Sequence, residues 1–397
     1  MDGSIFSLRS THVLTLAVLG LLCIGVLMVQ SASMTVGGAA SFAFSQRSLM
    51  HLIYACAAFA TYLTVSRIGY RRFAASHSLS KSPLAWAMAI AIALSIVVLI
   101  IGVEVNGARR WIRIGPMQLQ PSEVAKWTTA IFLAWWFAKR PVPLEKFFKG
   151  FCVTGIPIVI ICLLTVKEDL GTAALIAFVA LLMMLVGGVR WWHLCVVIPP
   201  VLAAGAYFVV HKAYRLKRMT SFLDPWADAR GEGYHMVQSL LSFASGGVAG
   251  RGLGGGVQKL GYLPEDTTDF VFSVVCEELG FFGAMIVVTL YLAILMVAVR
   301  AIRRANIDPF GKLLAFGIAA TIGLQACINI AVATVSMPTK GMSLPLVSAG
   351  GTGLIITCAS LGLLASVVRV GVKGNVQAYA ADRPIDLAHF QTPSAVR

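Results

Sequence analysis

VLTLAVLGLLCIGVLMV, Val13–Val29, is an unbroken apolar run long enough to decide the class of fold. A bilayer core accepts a helix of about 20 apolar residues. This run carries no charge and no clear small-residue cleavage site, so it reads as a retained span rather than a removed leader. Comparable runs follow along the chain, giving about ten expected spans on the same length criterion. They lie near His12–Ser33, Leu49–Val65, Leu84–Val103, Val124–Phe137, Gly150–Val166, Gly171–Val189, Trp191–Val210, Phe270–Val299, Leu313–Val335 and Leu346–Val368. The eighth is long for one straight crossing and is expected to tilt or to extend along the interface. The expected fold is therefore an all-α integral membrane protein whose membrane domain covers residues 1–371. A large outer loop, 212–268, separates the seventh and eighth helices, and residues 372–397 form a polar, unstructured cytoplasmic tail.

Composition agrees with lipid as the main solvent. Of 397 residues, 58% are hydrophobic and 12% charged, about half the charged share of a soluble domain, which is roughly 25%. The net charge of +15 forms no basic stripe interleaved with aromatics, which argues against nucleic acid as a partner. The eight cysteines are scattered without a C-x-x-C pair and read as small buried hydrophobes rather than disulfide or metal ligands.

Lys and Arg in short loops mark the cytoplasmic side. Arg67, Arg71, Arg72 and Lys81 flank one connection, Lys139, Arg140, Lys146 and Lys149 another, and Arg300, Arg303, Arg304 and Lys312 a third. They alternate correctly if both termini are cytoplasmic. That orientation leaves Arg109, Arg110 and Arg113 outside, in the short loop Asn106–Pro121. Long loops cross regardless of charge, but this one is short, so its cations point to an anionic ligand, with ordinary headgroup contact as the competing account. Nearly all the acids fall on the same outer side, the exceptions being Asp2, Glu145, Asp308, Asp382 and Asp386. Ionisable groups at membrane depth are costly and default to function.

Three segments carry the candidate chemistry. In Tyr214–Phe270 the glycines from Gly246 to Gly256 fit no Walker or dinucleotide pattern and read as a bend at the membrane surface. Asp269, where that segment meets the eighth span, is placed to take a proton from a sugar hydroxyl. It equally fits a helix N-cap or an ion pair with a loop arginine, and spacing does not choose between them. Glu277 and Glu278, about two turns deeper, fit a bundle-interior pairing best, with a proton path or support for Asp269 as alternatives. In MPTKGMSLPLVSAGG, Met337–Gly351, prolines and glycines break helicity, and irregular backbone at membrane depth must be buried in protein or line a cavity. Lys340 there suits a phosphate counter-ion, or else snorkels to the interface.

Four blocks in order, NGARRWIRIGPMQLQPSEVAK (Asn106–Lys126), EDLGTA (Glu168–Ala173), the stretch ending LPEDTTDFVFSVVCEELGFFG (Leu263–Gly283) and MPTKGMSLPLVSAGG, resemble the SEDS family of FtsW, RodA and SpoVE. The P-T-K-G form around Lys340 is similar to the FtsW branch. The resemblance implies a peptidoglycan glycosyltransferase that polymerises lipid II at the outer face of the plasma (inner) membrane, at the division septum. Its partners would be undecaprenyl-pyrophosphate-linked glycan, a class B penicillin-binding protein and other divisome proteins. It implies Asp269 as the catalytic residue and Arg109, Arg110, Trp111, Lys126, Arg215, Arg218, Lys259 and Lys340 as substrate-binding. Glu123, Asp169, Glu265, Glu277, Glu278 and Ser348 would support them, with a weakly held Mg²⁺ or Mn²⁺. The chain departs from the family pattern at Thr267, where a histidine is usual, at Glu168, at Gly256 and at Ala349. Two other functions compete: a lipid flippase using Glu277, Glu278 and the Glu123–Lys126 pair, and a non-catalytic division scaffold.

Overall fold

Apolar runs of these lengths fold as helices because lipid offers no partner for backbone N–H and C=O groups, which must then bond within their own segment. The computed structural model describes residues 3–32, 45–73, 78–105, 108–115, 117–139, 146–167, 169–211, 213–231, 233–258 and 267–382. Helices α1 (Gly3–Ala32), α2 (Gln46–Ile68) and α3 (Pro83–Ile101) lead to three short strands, β1 (Val103–Val105), β2 (Ala108–Ile114) and β3 (Met117–Leu119). Next come α4 (Pro121–Lys139), a π-helical turn Phe147–Cys152 running into α5 (Val153–Val166), α6 (Leu170–Val186) and α7 (Trp191–Val210). Helices α8 (Ala213–Leu223), α9 (Tyr234–Gly246), α10 (Val271–Ile302), α11 (Pro309–Ala333) and α12 (Thr352–Asp382) complete the chain.

Among the described residues eight helices are long and apolar enough to cross a membrane. The other two expected spans fall on α4, which carries Glu123 and Lys126, and on the shorter α6. Helix α4 packs against α3, α6 and α11, while α2 runs along α12 and α1 lies against α10. Trp127, Trp135 and Leu133 of α4 are buried at the centre. This is a multi-pass helical membrane protein.

Several expectations are corrected. The basic loop Asn106–Pro121 holds most of an antiparallel three-stranded sheet in the order β1-β2-β3. The long eighth run is not one continuous rod: Gly280, at φ +64°, breaks α10. The tenth span begins later than its apolar run, because Pro345, Gly350 and Gly351 interrupt the helix and Leu346 takes φ +69°. Helix α12 continues to Asp382, into the stretch expected to be unstructured tail. All eight cysteines are free, but Cys23, Cys56, Cys195 and Cys327 are exposed on the bundle exterior rather than buried.

Candidate active site at one end of the bundle

Four connections meet at one end: the β sheet between α3 and α4, the start of α6, the start of α10, and the irregular segment between α11 and α12. Asp269 sits in a turn just before α10, half-buried. Its carboxylate and the Arg110 guanidinium from β2 converge on Gly341. A β-carbon there would meet Asp269 Oδ2 at 3.2 Å and Arg110 Nη1 at 3.6 Å. Gly341 itself is exposed, so this juxtaposition opens outward from the protein.

Lys340, the neighbouring residue, is held below its ordinary pKa by burial, while the Asp169 carboxylate pulls it back up. Asp169 is buried and caps α6, accepting hydrogen bonds from Thr172 N (3.0 Å) and Thr172 Oγ1 (2.6 Å). Arg109, Arg110, Ser122 and Asp169 line one recess between α3, α4 and α5. Arg109 also makes an exposed ion pair with Glu104, at 3.7 Å. Trp111 is half-buried in β2, opposite Val103. Asp269, Arg109, Arg110, Asp169 and Lys340 are thus brought together by elements far apart in sequence, in a setting where an anion would meet cations and a carboxylate at once.

The remaining expected site residues are placed differently. Lys126 is only 3% exposed. Its ammonium donates to both Glu123 carboxylate oxygens at 2.7 Å and to Gln325 Oε1 at 2.6 Å. It is the charged centre of an internal network rather than a surface for substrate. Arg218 is exposed on α8, which packs on α7, and Arg215 lies on the same helix. Lys259 and Glu265 lie outside the described residues. Ser348 is buried, accepting from Leu344 N at 2.7 Å and donating to the Thr268 carbonyl, so it ties the irregular segment to the residue before Asp269.

Glu277 and Glu278 are fully buried on α10, and the glycine run wraps them. Val257 N donates to Glu277 Oε1 at 2.8 Å, Gly254 N donates to Glu278 Oε2 at 3.2 Å, and Ser31 Oγ meets Glu278 at 2.7 Å. Backbone amides in a turn make an anion-binding concavity, here filled by the chain's own carboxylates. Gly246, Gly250 and Gly256 are packed against α10, while Gly247, Gly252, Gly254 and Gly255 are exposed in a surface bend. Three sequence departures have a local account. Ala349 N donates to the Thr267 carbonyl at 2.9 Å, a backbone bond open to any side chain at either position. Gly256 lies against both glutamates, where a β-carbon would meet Glu277 Oε2 and Glu278 Oε1 at 3.0 Å each.

Sequence reasoning missed Gln325 and Asn329 on α11. Asn329 Nδ2 donates to the carbonyl of Asp269 at 2.8 Å and to that of Met342 at 2.7 Å. The available signal was two amides one turn apart inside an apolar run, since polar groups there need partners.

Fold and site together define a multi-pass helical membrane protein with a carboxylate-and-cation cluster at one end of its bundle. The chain belongs to the FtsW/RodA/SpoVE family: that family's model, described as "Cell cycle protein", matches residues 12–371. It is 37% identical over 358 residues to the probable peptidoglycan glycosyltransferase FtsW of Coxiella burnetii, covering 88% of this chain and 94% of that protein. With the protein of the same description from Aliivibrio salmonicida it shares 34% identity over 372 residues, covering 92% and 89%. A solved structure described as "Structural coordination of polymerization and crosslinking by a peptidoglycan synthase complex" matches with a TM-score of 0.70 and 25% identity. That match covers 90% of this chain and 97% of the other.

Proposed function

We propose that this chain is a peptidoglycan glycosyltransferase that polymerises lipid II into glycan strands at the outer face of the bacterial inner membrane, in cell division. The observation that carries the reading is the convergence of Asp269 and Arg110 over Gly341, beside Lys340 and Asp169. The relatives' descriptions support the reaction class. In this reading the Asp269 carboxylate takes the proton from the acceptor sugar's 4-hydroxyl. The oxygen attacks the anomeric carbon of the growing strand, forming the new glycosidic bond with inversion. The bond to the lipid pyrophosphate breaks and the electron pair leaves on phosphate oxygen. Arg109, Arg110 and Lys340 stabilise that developing charge, commonly the largest catalytic term.

Among the described residues no three His, Cys, Asp or Glu side chains group to hold a metal ion. The described residues furnish no such site by themselves, and no step here runs through one. A dependence on Mg²⁺ or Mn²⁺ would arise through the substrate's phosphate oxygens, and titration with a chelator tests for it. The likeness to a synthase complex supports a cross-linking partner of the class B penicillin-binding type, and the relatives' FtsW descriptions support septal placement with other divisome proteins. The proposed topology has ten crossings with both termini cytoplasmic; a reporter fused near Asp228 should report the outer side and one near Arg303 the cytosol.

The deciding experiment supplies purified protein with lipid II, with and without the transpeptidase. Wild type should form glycan and Asp269→Asn should form essentially none. Equal product from Asp269→Asn would remove the general-base assignment.

A further inference from the structure

The sites described leave unexplained how a half-buried aspartate in a turn and a glycine-rich, non-helical segment hold a fixed spacing. Two amides on α11 supply the fixture. Gln325 and Asn329 are one helical turn apart, so they share a face, and both are buried, at 4% and 1% exposure. Gln325 Nε2 donates to the Ser343 carbonyl at 2.9 Å, and Asn329 Nδ2 donates to the adjacent Met342 carbonyl at 2.7 Å. Consecutive carbonyls of the irregular segment that follows Lys340 and Gly341 are therefore gripped by consecutive turns of one rigid helix. Each amide has a further bond. Gln325 Oε1 accepts from Lys126, which is itself held by Glu123. The other Asn329 donor goes to the Asp269 carbonyl at 2.8 Å.

Asn329 is committed to this use at a cost. Among the described residues its Oδ1 is buried without a partner, and an orphaned buried acceptor is destabilising. The reverse orientation of the amide would aim that oxygen at two carbonyl oxygens, so the donors must face them. An amide is the side chain of this size that gives two N–H donors from one nitrogen; aspartate has the shape and no donor.

Resting on the glycosyltransferase reading, we infer that Asn329 is a positioning residue that fixes the Asp269 backbone against the Lys340–Gly341 segment, with Gln325 extending the grip to the Lys126–Glu123 pair. It touches neither substrate nor reacting atoms; it sets the distance between the carboxylate that takes the proton and the cations that receive the leaving group.

The test measures lipid II polymerisation by full-length protein in detergent or nanodiscs, separating kcat from KM. Misplacement of a reacting group by about 1 Å can cost on the order of 100-fold, so Asn329→Ala and Asn329→Asp should lower kcat by about that factor. KM for lipid II should stay within a few-fold, because the binding cations remain. Asn329→Ser, which keeps one donor, should recover part of kcat, and Gln325→Met should fall between it and Asn329→Ala. If Asn329→Ala does not fold, the Asn329→Ser and Gln325→Met pair carries the test. Folded variants with wild-type kcat, or a loss confined to KM, would overturn the inference. Failure of the wild type to polymerise would instead sink the glycosyltransferase reading, and full activity in Asp269→Asn would remove only the general-base assignment on which that reading's mechanism rests.

Discussion

A β-carbon at Gly341 would enter the space that Asp269 Oδ2 and Arg110 Nη1 both face. Gly341→Val is therefore expected to lower lipid II polymerisation more than about 10-fold, since small displacements of reacting groups are heavily penalised. Its thermal unfolding should match wild type, because the position is exposed; normal turnover would show that the reaction does not use this space. The adjacent Lys340 gives a pH prediction. Burial lowers its pKa and the Asp169 carboxylate raises it. Removing that carboxylate lets the pKa fall further, so the ammonium is lost at lower pH as pH rises. Asn still accepts from Thr172 N, which keeps the cap of α6. Asp169→Asn should thus move the alkaline limb of the rate profile to lower pH, with the fold retained. An unmoved alkaline limb would mean that the Lys340 charge is not needed for turnover.

At the scale of elements, α10 and the turn after α9 interlock through glycines. A β-carbon at Gly250 would strike Glu278 O, and one at Gly280 would strike Gly250 N; both residues hold positive φ, at +79° and +64°. The close approach lets Arg251 N and Gly252 N donate to the carbonyls of Glu277 and Glu278 at 3.0 and 2.9 Å. This supplies partners at the point where the helix breaks. Gly250→Ala and Gly280→Ala should each destabilise by roughly 1–3 kcal/mol through overpacking and backbone strain. Gly252→Ala, at φ +86° with open space around it, should cost only the strain. If thermal unfolding ranks Gly250→Ala no worse than Gly252→Ala, the interlock is unimportant. This junction also shows the limit of reading the chain alone. Apolar run length located α1 to α7 and α10 to α12, because lipid enforces helix on such runs. The Gly280 break was hidden, since a glycine inside an apolar run looks like any other small residue until its neighbour is known. The strands around Arg110 were read as loop because each is short and lies outside the apolar runs. Charge drew attention to Asp269, Arg110 and Lys340, and the family resemblance singled out Asp169 and a role for Asp269. Charge could not find Gln325 and Asn329, whose neutral amides matter only through the carbonyls that face them.

Across the whole molecule the two ends are built for different tasks. The end carrying Asp269 gathers charges around open space. At the opposite end the polar groups are bonded to one another. Tyr70, in a 3₁₀ turn after α2, donates its backbone N–H to Ser366 Oγ at 3.0 Å, and its hydroxyl donates to Asp308 just before α11. Arg71 reaches the same carboxylate at 3.8 Å, and Asn306 Nδ2 donates to Gly371 O at 2.7 Å on α12. Burial and the Asp308 carboxylate push the Tyr70 hydroxyl up to about 12, so it stays a neutral donor across the physiological range. These bonds tie the α2–α3, α10–α11 and α12 ends into one cap, while α2 packs along α12 between the two ends. Rigid helices hold the spacing of the active end, and the far cap keeps those helices in register. Tyr70→Phe preserves the ring that packs 5.8 Å from Phe310 and removes only the hydroxyl donor. It should lower stability by about 1 kcal/mol, the usual net worth of one hydrogen bond, because Asp308 is partly exposed and keeps Arg71. Glycan made per folded molecule should be unchanged, because no site residue moves. Thermal unfolding paired with turnover normalised to folded protein checks both halves. A variant with wild-type stability and lost turnover would show that the cap takes part in the reaction cycle and that the division of labour between the ends is wrong.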